Sequence, residues 1–421
     1  MSEPRRGSAQ IRTMHPTHPT HPTPEPAGTT AAQRPAGLWL ALLAGPIALS
    51  ANSPTLVLDK IAAGLGTSVA TATWIATTFG WGVVVGTPLA AGLLRRYGMR
   101  PALLASAALI LVGSCLELVG PALPELLVGR AAQAIGSAGA FTIAMNLAGT
   151  TRRTGLIMTG VGVFGAVGPL TGALVADHWS WHGAVALSAL SLPAVPAIAR
   201  ALRDDRPERQ AVPADLPGLV LVLATVSALV FIPRFPVLAT IGLGILLAVL
   251  ALHVRSTPDG FLPLELLRTP AFVLAGVLAL ALSTSYFTLL YVFPRMLGDD
   301  AGWTIDRIGV AQMLALLLGS IAAWVLAFVA ARLVPRTIFV ILVCAGVLAP
   351  ALAGFTAWLP LVLTVPAIAV FGAVAGQATL TVSAAGAVAR HHRATAISLV
   401  NLCYLLGGAF GPAVAAVIAY R

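Results

Sequence analysis

Arg130 and Gln133 stand three residues apart in the run Leu126-Leu127-Val128-Gly129-Arg130-Ala131-Ala132-Gln133-Ala134-Ile135-Gly136. On a helix that spacing puts both side chains on one face. An arginine roughly two turns into an apolar span costs at least about 2.5–3.5 kcal/mol on insertion scales, so it must face a partner or a cavity. Two readings are open: a guanidinium tied to backbone carbonyls of a neighbouring helix, or a part in ion coupling or substrate binding. Glu117 is the acid best placed to answer it. It lies near the end of the preceding apolar run, and the tight turn Gly120-Pro121-Ala122-Leu123-Pro124 brings the next run back beside it. A Glu117–Arg130 pair is a candidate proton-sensitive element, because a carboxyl in a low-dielectric setting responds strongly to its neighbours. An interfacial carboxylate is the plainer alternative.

A second signal is a phrase that occurs twice. Gly165–Ala176 reads GAVGPLTGALVA and Gly408–Ala419 reads GAFGPAVAAVIA. Pro169 cannot donate to the carbonyl of residue 165, so the helix bends there, and Gly165 softens the clash. Gly168 and Gly172 form a small-xxx-small face for close helix approach. Gly407, Gly408, Gly411 and Pro412 repeat the pattern. Such a repeat in two halves marks bundles duplicated for moving a solute and points away from a receptor or an enzyme.

Other polar residues are scattered through the apolar runs. Arg95, Arg96, Gly98 and Arg100 fall in one short loop, either a gate latch or an ordinary basic loop. Asn52, Thr55, Thr77, Thr78, Asn146, Thr159, Ser283, Thr284, Tyr286, Gln312, Gln377 and Asn401 could line a cavity, although hydroxyls in such helices often bond only to their own backbone. Asp59, Glu125 and Asp177 fall at helix ends. No Ser-His-Asp set, nucleotide loop or metal cluster is visible, so no catalytic residue, cofactor or metal is expected, and an ATP-driven pump is disfavoured.

The elements that hold these residues follow from composition. The chain has 421 residues, of which 58% are hydrophobic and 10% charged, with a mean hydropathy of +0.90. A surface of that kind needs lipid as its solvent. At about 20 residues per crossing, we expect an all-α integral membrane protein with about thirteen spans: 37–57, 70–92, 101–120, 123–148, 154–176, 182–200, 216–232, 235–254, 270–293, 306–331, 337–356, 359–387 and 394–419. The net charge of +10 is carried almost wholly by arginine in the gaps, with Lys60 the only lysine, which argues against nucleic acid. With the N-terminus inside, nineteen of the 25 cations fall on the inner side, as positive-inside topology requires. Those nineteen are Arg5, Arg6, Arg12, Arg34, Arg95, Arg96, Arg100, Arg152, Arg153, Arg200, Arg203, Arg206, Arg209, Arg255, Arg268, Arg332, Arg336, Arg390 and Arg393. Lys60, Arg234, Arg295, Arg307 and Arg421 fall outside. Trp74, Trp179, Trp181, Trp303 and Trp358 then form an outer aromatic belt.

Residues 1–36 read as a disordered cytoplasmic tail without a signal peptide, and Met14 is a second candidate start. Its His15, His18 and His21 would share a polyproline II face about 9 Å apart, which is read as low complexity rather than a metal site. Cys115, Cys344 and Cys403 have unrelated spacings, so no disulfide framework is expected. The expected organisation is the tail at 1–36, a six-helix bundle at 37–200, a loop plus an inserted helix pair at 201–269, and a five-helix bundle at 270–421, without a counterpart of the sixth helix.

Taken together these motifs resemble the major facilitator superfamily, and within it the fourteen-helix drug:proton antiporters. Arg130, Gln133 and Gly136 match the family's R-x-x-Q-G-x-G phrase, with Ala134 for the first glycine. Gly168, Pro169 and Gly172 match the antiporter motif G-P-x-x-G-G, with Ala173 for the last. Residues 74–100 follow the family's second span and loop, but Ala91 and Arg95 replace a glycine and an aspartate. In the echo of that motif in the second half, Ala331 and Val334 replace an aspartate and a glycine, respectively. Ser50 replaces an aspartate, Tyr404 replaces an arginine, and no counterpart of the fourteenth helix is expected within these residues. The resemblance implies a two-bundle fold, coupling through Arg130, and a cavity shaped by the span-five motif. The expected function is secondary transport by alternating access: proton-coupled efflux of a small amphiphilic compound, neutral or anionic, by a monomer in the cell membrane. A non-transporting sensor on a transporter fold and an uncoupled facilitator are the alternatives.

Overall fold

The computed structural model describes residues 36–202, 215–233, 235–257, 260–298, 301–355 and 358–420, and among them every regular element is helical. The tail with Met14, His15, His18 and His21, and the cations Arg5, Arg6, Arg12, Arg34, Arg203, Arg206, Arg209, Arg234 and Arg421, lie outside the described residues.

The helices in chain order are α1 (Gly37–Leu56), α2 (Leu58–Leu65), α3 (Val69–Tyr97), α4 (Met99–Val119), α5 (Leu123–Ala148), α6 (Arg152–His178), α7 (Trp181–Ala201), α8 (Leu216–Phe231), α9 (Pro236–Ser256), α10 (Leu264–Arg268), α11 (Pro270–Gly298), α12 (Ile305–Val329), α13 (Pro335–Phe355), α14 (Leu359–Gly386) and α15 (Arg390–Ile418). Eleven are long and apolar enough to cross a bilayer, and α1 with α2 makes a twelfth across a 72° bend. The 16-residue α8 is short for a full crossing. These correspond to the thirteen expected runs, with different edges. The first run does not stop at residue 57. Pro54 forces its last turn into a 3₁₀ segment, Ser53–Leu56, and the chain swings into α2. The second run continues past residue 92 to Tyr97, ending only where Gly98 adopts φ 88°, which favours glycine.

Helices α1–α7 pack mainly with one another, and so do α11–α15. Across the junction, each Gly-Pro helix meets the second long helix of the other bundle: α6 lies on α12, and α15 on α3. Each of those partners offers a glycine at the contact. A Cβ on Gly80 would sit 2.5 Å from Gly408 O, and one on Gly309 would sit 2.9 Å from Leu170. The repeat therefore works as a pair of matched seams.

The apolar cores are unevenly distributed. At the end opposite the basic loops, one continuous core joins Leu56, Ile61 and Ala173 of the first bundle to Leu290, Phe293 and Ile308 of the second. At the basic end the bundles keep separate cores, around Leu103, Ile143 and Ile198 in one and around Phe272, Leu326 and Leu399 in the other. The pair α8–α9 leans on the junction. Val222, Val226 and Val230 pack on Val84 of α3 and Leu406 of α15, and Trp81 Nε1 donates to Ser227 Oγ at 2.8 Å. The strap after α9 is held by Asp215, which accepts from Gly218 N, Phe261 N and His253 Nε2 at 2.8–2.9 Å. Burial alone would raise the Asp215 carboxyl. The backbone N–H groups of Phe261 and Gly218, with His253, outweigh it and hold the group below its ordinary value.

A candidate coupling site

A proline inside a helix leaves the carbonyl four residues earlier without its backbone donor. Pro54 does this to Ser50, Pro169 to Gly165 and Pro294 to Leu290. In each case a buried side chain from another helix supplies the missing bond. Arg130 Nη2 donates to Ser50 O at 2.6 Å, Asn52 Nδ2 to Gly165 O at 2.8 Å, and Gln312 Nε2 to Leu290 O at 2.9 Å. Buried backbone groups must be paired, so the breaks and the polar side chains specify one another.

Arg130 is fully buried, at 0% exposure. Its Nη1 donates to Gln133 Oε1 and Val185 O, each at 2.7 Å, and to Ser50 Oγ at 2.9 Å. Its Nε reaches Ile75 O at 3.3 Å, and its guanidinium lies 4.2 Å from the centroid of the Phe79 ring. Val185 can accept because the ladder of α7 tightens there from α to 3₁₀. Glu117, 1% exposed, places Oε1 3.6 Å from Arg130 Nη1 and accepts from Gln133 Nε2 on Oε2 at 2.6 Å. Gln133 also donates to Ser114 Oγ at 3.0 Å. The first sequence reading of Arg130 is met: it is tied to carbonyls of α1, α3 and α7, and it also faces an acid. Glu117 Oε1 faces the Arg130 guanidinium at ion-pair distance and makes no hydrogen bond among the described residues.

Close helix approach makes this possible. A Cβ on Gly113 would lie 2.5 Å from Gln133 N and Gly129 O, so only glycine lets α4 and α5 draw Glu117 onto Gln133. Gly168 and Gly172 do the same for α6 on α1, where added Cβ atoms would meet Asn52 at 2.9 Å and Ser53 Cα at 2.9 Å. One turn of α1 therefore carries Ser50 toward Arg130 and Asn52 toward α6. The same turn reaches the second bundle: Tyr291 Oη donates to Ala51 O at 3.2 Å, and Tyr286 Oη accepts from Asn52 Nδ2 at 3.5 Å.

Other candidate residues lie apart from this cluster. Thr55 bonds back to Asn52 O within its own turn. Thr78 lines a lateral cleft of about 560 Å³ between α3, α5 and α8, with Trp74, Trp81 and Phe231, instead of facing the junction. Asn146 is exposed and donates to Thr142 O at 2.8 Å on its own helix, because hydroxyl and amide side chains on a helix can reach the carbonyl one turn back. Gln377 Nε2 donates to Asn401 Oδ1 at 2.7 Å, joining α14 to α15. Arg95, Arg96 and Arg100 are exposed, with Arg96 over the Tyr97 ring at 5.3 Å, and Gly98 is buried. Lys60 pairs with Asp177. Sequence reading missed Ser114, the Val185 carbonyl and Tyr291 as members of the network. Ser114 stands three residues before Glu117 and could have been found on that ground; the other two have no local signal. It also missed a trio of metal-type side chains, Glu265, His391 and His392, at the basic end and remote from Arg130.

Comparison with known proteins agrees with this architecture. The sequence profile of the Major Facilitator Superfamily matches residues 38–412. The chain is 23% identical over 304 residues to the uncharacterized MFS-type transporter YvkA of Bacillus subtilis, covering 68% of each protein. It is 32% identical over 167 residues to Multidrug resistance protein 3 of Bacillus subtilis, covering 36% of this chain and 32% of that one. Among solved structures, a peptide transporter POT in complex with sulfate superposes with a TM-score of 0.63 at 16% identity, over 91% of this chain and 93% of that one. A bacterial homolog of the human lysosomal transporter Spinster, inward-facing and occupied, gives 0.58 at 16% identity, over 90% and 80%. At these identities the structural likeness speaks to the fold.

Proposed function

This chain belongs to the Major Facilitator Superfamily, and from that premise we propose that it exports a small amphiphilic compound by proton-coupled alternating access. One observation carries the reading. The buried cluster of Glu117, Gln133, Arg130 and Ser50 lies one helical turn from the place where Asn52 and Ala51 touch Tyr286 and Tyr291 of the other bundle. A change of charge at Glu117 alters what Arg130 must be bonded to, and Arg130 holds the broken turn of α1 that forms the bundle contact. Protonation is thereby linked to rocking of the bundles about the shared seam. The joined core at one end and the divided cores at the basic end support an access path that opens toward the basic loops. With those loops cytoplasmic, this is the state that loads cargo from the cell interior. We place the protein in the cell membrane as a monomer, N-terminus inside, with the domain boundaries given above. A fully buried guanidinium beside the path disfavours strongly cationic cargo and suits neutral or anionic amphiphiles. The partial likeness to a multidrug resistance protein is in keeping with such cargo.

The test is transport by purified protein in liposomes with an imposed pH gradient, using a panel of fluorescent amphiphiles of different charge. Glu117→Gln should lose gradient-driven flux while keeping counterflow of the same compound. Undiminished driven flux in that variant removes Glu117 from the mechanism. No flux of any compound in the panel overturns the export reading in favour of a sensor.

A further inference from the structure

We propose that Glu265, His391 and His392 bind a divalent transition-metal ion of the zinc type, fastening the linker helix α10 to the start of α15. One ligand atom from each of the three residues falls within 4.8 Å of the other two. The pair His392 Nε2 and Glu265 Oε2 is 3.3 Å apart, close to the separation of two ligands held about 2.0–2.1 Å from a shared tetrahedral ion. The plainer reading, an ion pair between His392 and Glu265, leaves His391 unexplained. Arg390–His392 is a 3₁₀ turn, on which neighbouring side chains project about 120° apart. Yet the two rings lie close together, tilted by 47° with centroids 4.0 Å apart, and each has a nitrogen within 4.8 Å of the same carboxylate. His392 is buried, so its ring is held in place, whereas Glu265 is open to solvent and provides the entry.

The donor set decides the metal. Two imidazoles and one carboxylate suit Zn2+, Co2+ or Ni2+, and leave a fourth position for water. Hard cations such as Mg2+ prefer an all-oxygen shell. Arg268, Arg390 and Arg393 are neighbours of the trio in sequence, and their charge opposes any cation, so binding has to come from directed bonds to the imidazole nitrogens. The ion's two attachment points lie in α10, just before α11, and in the first turn of α15, and α11 and α15 are helices of one bundle that pack on each other. The metal would therefore brace the second bundle at its basic end without crossing the seam to the first.

The test uses full-length protein with its purification tag removed and with His15, His18 and His21 replaced by alanine, so that the tail cannot contribute. After chelation and gel filtration, titration should show one equivalent of Zn2+ retained and a rise in melting temperature, and Mg2+ should do neither. His391→Asn with His392→Asn should abolish both effects, and Glu265→Gln should weaken binding at least about tenfold. The metal-free melting temperatures of these variants, compared with that of the metal-free parent, separate lost binding from lost folding. X-ray absorption of the zinc-loaded parent should give two imidazoles in the first shell. Retention of Zn2+ by the double histidine variant, no retained equivalent in the parent, or a shell without imidazole overturns the proposal.

Discussion

The two bundles meet the same backbone problem with different chemistry. In the first, a proline-freed carbonyl at Ser50 is met by the guanidinium of Arg130, which brings Glu117 into the interior with it. In the second, the freed carbonyl at Leu290 is met by the neutral amide of Gln312. Among the described residues, the spans of the second bundle bury no carboxylate or guanidinium; their buried polar side chains are Ser283, Thr288, Gln312, Thr379 and, at the start of α15, His392. The seams differ as well. Gly165 O is capped by Asn52 from α1, whereas Gly408 O packs directly against Gly80 of the other bundle. Where Gly172 admits the backbone of Ser53, the repeat has Ala415. A duplicated fold can thus keep its Gly-Pro helices while burying its acid and guanidinium in one half. On the proposed function, the first half would carry the means of responding to a proton, and the second half would be the surface it moves against.

The strongest way to break this comparison is to remove the two donors in turn. Arg130→Leu strands Glu117 and three carbonyl contacts in the interior and is expected to cost about 3–5 kcal/mol, with loss of transport. Gln312→Leu leaves one carbonyl unpaired and should cost about 1–3 kcal/mol. Equal losses on denaturant unfolding in detergent would refute the asymmetry. Next in size, Gly172→Ala drives a methyl into Ser53 and should destabilise by about 1–3 kcal/mol. The reciprocal Ala415→Gly should cost roughly 0.5–1 kcal/mol, mainly through backbone freedom. Asn52→Ala uncaps Gly165 O and should cost about 1 kcal/mol or slightly more, together with slower counterflow, because the Tyr286 contact goes too. The smallest effect concerns the strap beside the seam. Asp215 is held below its ordinary value, so its contribution is present above about pH 4 and fades as pH falls through its folded-state value. The melting temperature of Asp215→Asn should trail the parent by a constant margin from neutral pH down to about pH 5, and the margin should close in stronger acid. A margin that widens in acid would reverse the sign.

Much of the fold was legible because lipid enforces it: apolar runs of spanning length, arginine in alternate gaps and a duplicated Gly-Pro phrase each follow from solvation or backbone sterics. The site was legible in part. Arg130 announced itself by its cost, and Glu117 by the short turn that returns the chain beside it. The helix edges were less so, since the bend after Leu56 and the extension of α3 to Tyr97 depend on single dihedral choices at Val57 and Gly98.

The chain alone therefore determined which segments enter the bilayer and that a buried cation needs partners, because these are local consequences of transfer energy and missing donors. Only the tertiary structure decided who the partners are. Val185 O, Ser50 O and Ile75 O come from three separate helices, Thr78 lines a lateral cleft, and Asn146 bonds back to its own helix for all its polarity. The physical reason is rotation. In lipid, hydrophobicity hardly distinguishes one side of a span from another, so the facing of each helix is set by where glycines let backbones touch and where freed carbonyls find donors.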